Sequence, residues 1–507
     1  MLAPDYLDHA PDRLILLWQQ AEDDILRDVA RRIGKMDALT PTANWQLWRY
    51  QQTEAVRKDV VKLLARYTGK SEAEIRRLMQ EAAAAALEAE DEIYYHYGKE
   101  PTPFEESAPL QNLLNAGYRQ TAGSFSNLTA TTANTVSGAF EQALDRAWLQ
   151  VSSGTFDYKT AVKRAVDGLA DSMPYVTYPS GHRDTLEVAC RRAVLTGVNQ
   201  TGAKLQEARM DEMGASFVEV TAHGGARPSH AVWQGRHYHR GGAVDYLGQH
   251  YEDFESATGY GTGAGLCGWN CRHTFFVVFP ELGIPPAWTQ ESLEALNARN
   301  IEYNGQKYTR YEISQMQRAR ERAVRKWKRR YLAEDAAGAD TTASAVKLRQ
   351  ARQSLADFTR ATGGRVDSAR TSVHGFGRSE GSKASYAARK QERFNAANTE
   401  LQQMREAGTI KAKGRLIESP SAPNEINFAS DHVLQRWAER DMGPMDAERI
   451  IRSSKVAMSQ RNGTQTCYYS ELGFVAIGQD GNVSSIGPLD EGGKKLMEVV
   501  KKHGIPH

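Results

Sequence analysis

Residues 265–280 read GLCGWNCRHTFFVVFP, and how they are read decides what kind of fold occupies the middle of the chain. Two of only four cysteines, Cys267 and Cys271, stand four residues apart. His273 follows two residues later, directly before an apolar, strand-like run. Either a metal gathers these groups or a tight turn happens to contain thiols. Six of the 13 histidines (His223, His230, His237, His239, His250 and His273) fall between 223 and 273. A structural zinc site takes four ligands in a tetrahedron, commonly as close pairs from separate segments. Thiolate and imidazole are its preferred donors. His230, from the HGGARPSH segment, joins Cys267, Cys271 and His273 as the candidate metal group, with a structural zinc as the expected cofactor.

CxxxC and CxH are not the spacings of a standard zinc finger. A close-packed turn held by hydrogen bonds from Asn270 and Arg272 therefore stands as the alternative. A catalytic zinc needs a nearby base; Glu252 and Asp253 are in range along the chain, but nothing in their placement singles them out. Cys271 as a nucleophile beside His273 and Arg272 is chemically reasonable, yet no thiol-hydrolase signature surrounds it. His237 and His239, in GRHYHR, read as exposed strand residues.

Outward from this cluster, SFVEVTAH alternates like a strand, so residues 215–282 read as a small β- or loop-rich unit set in a helical protein. Upstream, Leu14, Leu17, Ala21, Ile25, Val29 and Ile33 recur at helical steps, and a second run carries Trp45, Trp48, Val56, Val60 and Leu64. Ser71 with Glu74 has the form of a capping box that opens a new helix. Cys190 sits among Val188, Ala189 and Val194 and reads as buried. Downstream, RARERAVRKWKRR at 318–330 sets eight basic residues against one acid. Such a helix can lie along DNA phosphates; the other reading is a solvated charged face, and Glu334 and Asp335 follow at once.

The expected class is an α+β multidomain protein. Residues 1–115 form an N-terminal helical region, and 116–380 form a central region with the Cys/His unit at 215–282 and a basic helical segment at 305–335. Residues 381–415 make a helical linker, and 416–507 a small α+β domain. The 507 residues carry 64 basic and 62 acidic side chains, so any polyanion contact must come from a local patch. Few cysteines fit a reducing compartment, the N-terminus does not read as a signal peptide, and no apolar run approaches the roughly 20 residues of a membrane span. Synthesis in the cytoplasm and no membrane partner are expected.

HGGARPSHAVWQGRHY followed by CGWNCRHTFFVVFPELG resembles the type 2 minor capsid proteins of tailed bacteriophages and, more distantly, the phage Mu-like head morphogenesis family. Arg227 and His230 match the wider family's Arg-x-x-His. Cys271, Arg272 and His273 match its Cys-Arg-Cys, with histidine replacing the last cysteine. The flanks PSGHRDTLEVACRRAVLTGVNQ and YNGQKYTRYEISQMQRARERAVRKWKRR extend the likeness over about 110–380. The resemblance implies a structural protein of the virion head that associates with the portal and other capsid proteins.

The tail raises a second function. Its Asp480-Gly481 reads as a hairpin turn, and His432, Arg436 and Arg440 are spaced to share one helical face. An imidazole and two guanidiniums suit phosphodiester cleavage without a metal. The segment resembles the metal-independent ribonuclease toxins of the barnase, EndoU, colicin and RelE-like class. That resemblance implies catalytic His432, Arg436, Arg440, Tyr468 and Ser485, no cofactor, and RNA as substrate. The alternative is a helix cap at His432 and surface ion pairs to Glu439 and Asp441. A phage-delivered ribonuclease toxin, with the capsid-like part as its vehicle, is the second functional reading.

Overall fold

In the computed structural model, all residues are described except 1, 36–41, 173–174, 179–181, 423–424, 429–434, 436–438 and 507. The chain divides into two compact units, 1–380 and 381–507. Helices dominate the first unit and small antiparallel sheets complete it, in keeping with an α+β class.

In the first unit, helices Asp12–Gly34, Thr42–His96, Ala108–Ser152, Tyr158–Ser172 and Leu186–Met213 pack around one apolar core. The core runs from Leu2 through Trp18, Val56, Phe125 and Phe140 to Leu205. Regions 1–115 and 116–205 therefore share one interior. Helical periodicity in the sequence supplies the apolar faces, and burying them on each other stabilises helices of mediocre intrinsic propensity. The capping box at Ser71 does not form. Helix Thr42–His96 runs straight through, because the buried Ser71 hydroxyl accepts from Trp18 Nε1 at 2.9 Å and donates to the Tyr67 carbonyl at 2.8 Å. Tertiary packing has taken over the group that would have capped.

The Cys/His unit is a three-stranded antiparallel sheet, with Phe217–Val220 between His237–His239 and Phe275–Val277. Val218, Val220, Tyr238, Phe275 and Val277 point into a core with Trp233, Phe254 and Tyr94. His237 is not the exposed strand residue expected. Its Nε2 lies 2.9 Å from Glu219 Oε2, and both side chains are nearly inaccessible.

Helix Arg310–Ala336 opens with a complete capping box from Thr309 and Glu312. Its basic stripe faces inward: Arg325 pairs with Glu187, Lys326 with Asp171, Arg329 with Glu22 and Asp23, and Arg330 with Asp167. Half of the eight basic residues at 318–330 are thus spent in ion pairs within the unit. Arg318 and Arg322 make no ion pair among the described residues.

The second unit is a five-stranded antiparallel meander, Arg415–Glu418, Val456–Gln460, Gln465–Ser470, Gly473–Gly478 and Val483–Gly487. Alternation sorts its side chains cleanly. Val456, Met458, Cys467, Tyr469 and Ala476 face the helices Arg378–Glu406 and Glu491–Lys502. Ala457, Tyr468, Val475, Ile477 and Ile486 face the helix Pro444–Ser453. Phe394, Ala397 and Leu401 belong to the first of these cores, so the helix that reads as a linker is packed on the sheet. The Asp480-Gly481 turn forms, with Gly481 at φ +79°.

Candidate metal centre

Three segments meet at the centre. The short helix Pro228–Ala231 carries His230, the turn before strand Phe275–Val277 carries Cys271 and His273, and helix Leu186–Met213 lies beneath. From that helix the fully buried Asn199 donates through Nδ2 to the carbonyls of Cys271 and His273, each at 3.0 Å. One amide therefore pins both Cys271 and His273. Backbone geometry does the rest: Cys267 and Asn270 sit at φ +57° and +55°, a left-handed conformation that folds the loop back on itself.

His230 Nδ1 and His273 Nδ1 each lie 3.6 Å from Cys271 Sγ. The three ligand atoms fall within 4.8 Å of one another, and all three residues are buried. The far nitrogens decide the tautomers. His230 Nε2 is 2.9 Å from the Ala264 carbonyl, which can only accept. His273 Nε2 is 3.0 Å from Gln234 Oε1, and that same oxygen accepts from the His223 backbone N–H at 3.1 Å. Both Nε2 atoms therefore carry protons, and both Nδ1 lone pairs point at the thiol. Metal-bound histidines are oriented in this way, by a carbonyl or amide oxygen behind the ring.

Burial, reinforced for His273 by neighbouring His223 and His230, pushes the His230 and His273 pKa values below the ordinary imidazole range. Burial first, then Arg272, brings His223 down to about 4. Neutral imidazole is the ligand form. The Cys271 thiol is pushed up by burial and would lose its proton to a bound cation. The donor set of two imidazoles and one thiol fits zinc.

Cys267, the fourth expected ligand, stands outside this group. Its Sγ lies 3.6 Å from the His273 carbonyl and it packs with Leu266 and Phe275 in the apolar core. Both thiols approach the His273 carbonyl, Cys267 Sγ at 3.6 Å and Cys271 Sγ at 3.8 Å, but it is Cys271 Sγ that also reaches the Nδ1 atoms of His230 and His273. His223 stacks on the His273 ring at 4.3 Å between centroids. Asn199 and Gln234 escaped sequence reasoning, since a lone amide in a helical or loop segment carries no motif.

In the second unit, His432 and Arg436 lie outside the described residues. Arg440 Nη1 donates to the Ile486 carbonyl at the sheet edge. Tyr468 is buried, its hydroxyl donating to the Ser421 carbonyl at 3.2 Å. Ser485 pairs with Ala476, whereas Tyr468 pairs with Val475, so the two side chains take opposite faces of the sheet. The structure does not bring Tyr468 and Ser485 together.

The long helices thus carry a small sheet tied to them by the Asn199 bonds to the Cys271 and His273 carbonyls. The profile of the family described as phage minor capsid protein 2 matches residues 2–360, and the chain belongs to that family. A curated relative, a "Structural protein" of Lactococcus phage LL-H, is 27% identical over 244 residues, which is 45% of this chain. The match spans 61% of that relative's length. No solved structure matches the chain. Among the described residues, no helix is long and apolar enough to cross a membrane.

Proposed function

We propose that the chain is a minor structural component of a phage head, made in the bacterial host cytoplasm and built into the virion against the portal and other capsid proteins. The observation that carries this reading is the family match over 2–360, which falls within the first compact unit. In this reading residues 1–115 supply helices for docking. Region 116–380 is the capsid part, and its His230–Cys271–His273 group holds a structural zinc that locks the small sheet to the helices. DNA contact by the basic run 318–330 falls to Arg318 and Arg322, which line one recess and make no ion pair among the described residues. Mass spectrometry of purified virions, with cross-linking to the portal, is the test: recovery in heads joined to portal peptides is expected, and absence from virions refutes the assignment.

A second reading attaches to the tail. The unit 381–507 lies beyond the family match and is a compact α+β body of its own, as an appended ribonuclease would be. His432 would move the proton, with Arg436 and Arg440 stabilising phosphorane charge. If this activity is the main one, the capsid-like part is its delivery vehicle. The full chain should then cleave RNA in excess chelator, and His432→Ala should abolish cleavage. Intact RNA with the unaltered chain would reduce the tail to a structural appendage.

A further inference from the structure

Beside the Cys/His group, the first unit encloses a cavity of about 1640 Å³, lined by helices Leu186–Met213 and Arg310–Ala336 and by the loops around His223 and Cys271. Eleven lysine and arginine side chains line it against five carboxylates. Three of these arginines also pair with carboxylates set behind the wall, Arg192 with Asp184, Arg329 with Asp23 and Arg370 with Asp367, which leaves an excess of three positive charges where desolvated like charges repel. At its centre one carboxylate serves several guanidiniums. Asp8 lies 2.6 Å from Arg191 and 3.6 Å from both Arg272 and Arg370.

Arg318 projects into the same space with no ion-pair partner among the described residues. Burial first, then Arg370 and Arg191, lowers its pKa to about 10. Arg310 and Arg322 also line the cavity without an ion pair among the described residues. Trp269 stands at this wall with 59% of its surface exposed, its backbone carbonyl held by Arg227 at 2.6 Å.

Unspent guanidiniums around an exposed indole are the two elements that hold a nucleic-acid strand: cations for its phosphates and a flat ring for its bases. The volume exceeds the 300–1,000 Å³ usual for one small ligand, so several linked nucleotides fit better than one. A duplex is too stiff to bend into a recess of this size. An acidic peptide would satisfy the arginines but gain nothing from Trp269.

The geometry points to a binding site for single-stranded nucleic acid in this cavity, with phosphates on Arg318, Arg322 and Arg310 and a base stacked on Trp269. The site deepens the DNA contact proposed above by sharing Arg318 and Arg322, and it does not depend on the virion assignment. A single strand presents itself to a free protein as well as to an assembled one.

The test is fluorescence anisotropy of the full-length protein with a labelled oligothymidylate of about ten residues, within the site sizes of such grooves. Competitors are inorganic phosphate, adenosine monophosphate, the duplex of the same length and a polyglutamate peptide. Strand binding is expected to weaken with salt at a logarithmic slope of about −2, corresponding to three phosphates. Arg322→Glu, an exposed position that leaves packing intact, and Trp269→Ala should each weaken it about tenfold. Competition by the monophosphate alone, weaker than by the strand, agrees with a site built for the polymer. Equal competition by polyglutamate or by duplex overturns the single-strand assignment, as does affinity unchanged in both variants. A failure here with the protein present in virions leaves the structural role intact.

Discussion

His230 and Cys271 lie 41 residues apart in the chain, yet Nδ1 of one stands 3.6 Å from Sγ of the other, both buried. That proximity makes the Cys/His segment one object rather than two loops. It also places a soft-ligand set where no solvent competes for it.

Zinc content follows from the ligand geometry. The purified protein should carry about one zinc per chain, lost in Cys271→Ala and in His273→Ala, because a structural site is bound through its own side chains. Cys267→Ser should keep its metal, since that thiol is outside the three ligand atoms that lie within 4.8 Å of one another. Elemental analysis of the three variants decides the matter; metal loss in Cys267→Ser would place that thiol in the coordination sphere.

The amides behind the ligands should be felt separately. Gln234→Leu removes the acceptor that fixes the His273 tautomer, and zinc affinity should fall about 10–100-fold in chelator competition. Asn199→Ala leaves the Cys271 and His273 carbonyls without their donor and should cost about 1–3 kcal/mol in urea unfolding. Wild-type affinity in Gln234→Leu would mean the ring is held by packing alone.

A buried carboxyl under the small sheet gives a pH signature. Burial pushes Glu90 from its ordinary 4.5 up to about 7. Between these values the folded chain holds a proton that the unfolded chain has released, so this group makes stability fall as pH rises through the window and stay low above it. Glu90→Gln should remove that slope and raise stability at pH 8 by about 2–3 kcal/mol. Unfolding midpoints at pH 5 and pH 8 measure it; equal stability of both proteins at pH 8 would contradict it.

In the tail, Tyr468 is a packing residue in this geometry. Tyr468→Phe should lower stability by about 1 kcal/mol through loss of the bond to the Ser421 carbonyl. Any RNA cleavage that His432→Ala abolishes should survive in Tyr468→Phe and in Ser485→Ala, because those side chains sit on opposite faces of the sheet. A large rate loss in both would require the sheet to rearrange around substrate.

Local pattern marked the helix through Leu14 and Ile33, the basic helical segment at 305–335, the strands in SFVEV and TFFVV, the Asp480-Gly481 hairpin and the region of the Cys/His group, because periodicity, turn residues and clustering are each written among neighbours along the chain. Ser71 shows the limit: its local pattern asks for a helix start, and Trp18, 53 residues away, claims the hydroxyl instead. The basic run at 318–330 has the composition of a phosphate-binding face, while its partners Glu22, Asp23, Asp167, Asp171 and Glu187 are scattered over distant helices and become visible only when folded. Which thiol turns toward His230, which amide orients His273 and which arginines remain unpaired around the cavity were decided by tertiary structure. Ligand direction and charge pairing depend on side-chain angles between segments, and those angles exist only once the helices have buried their common core.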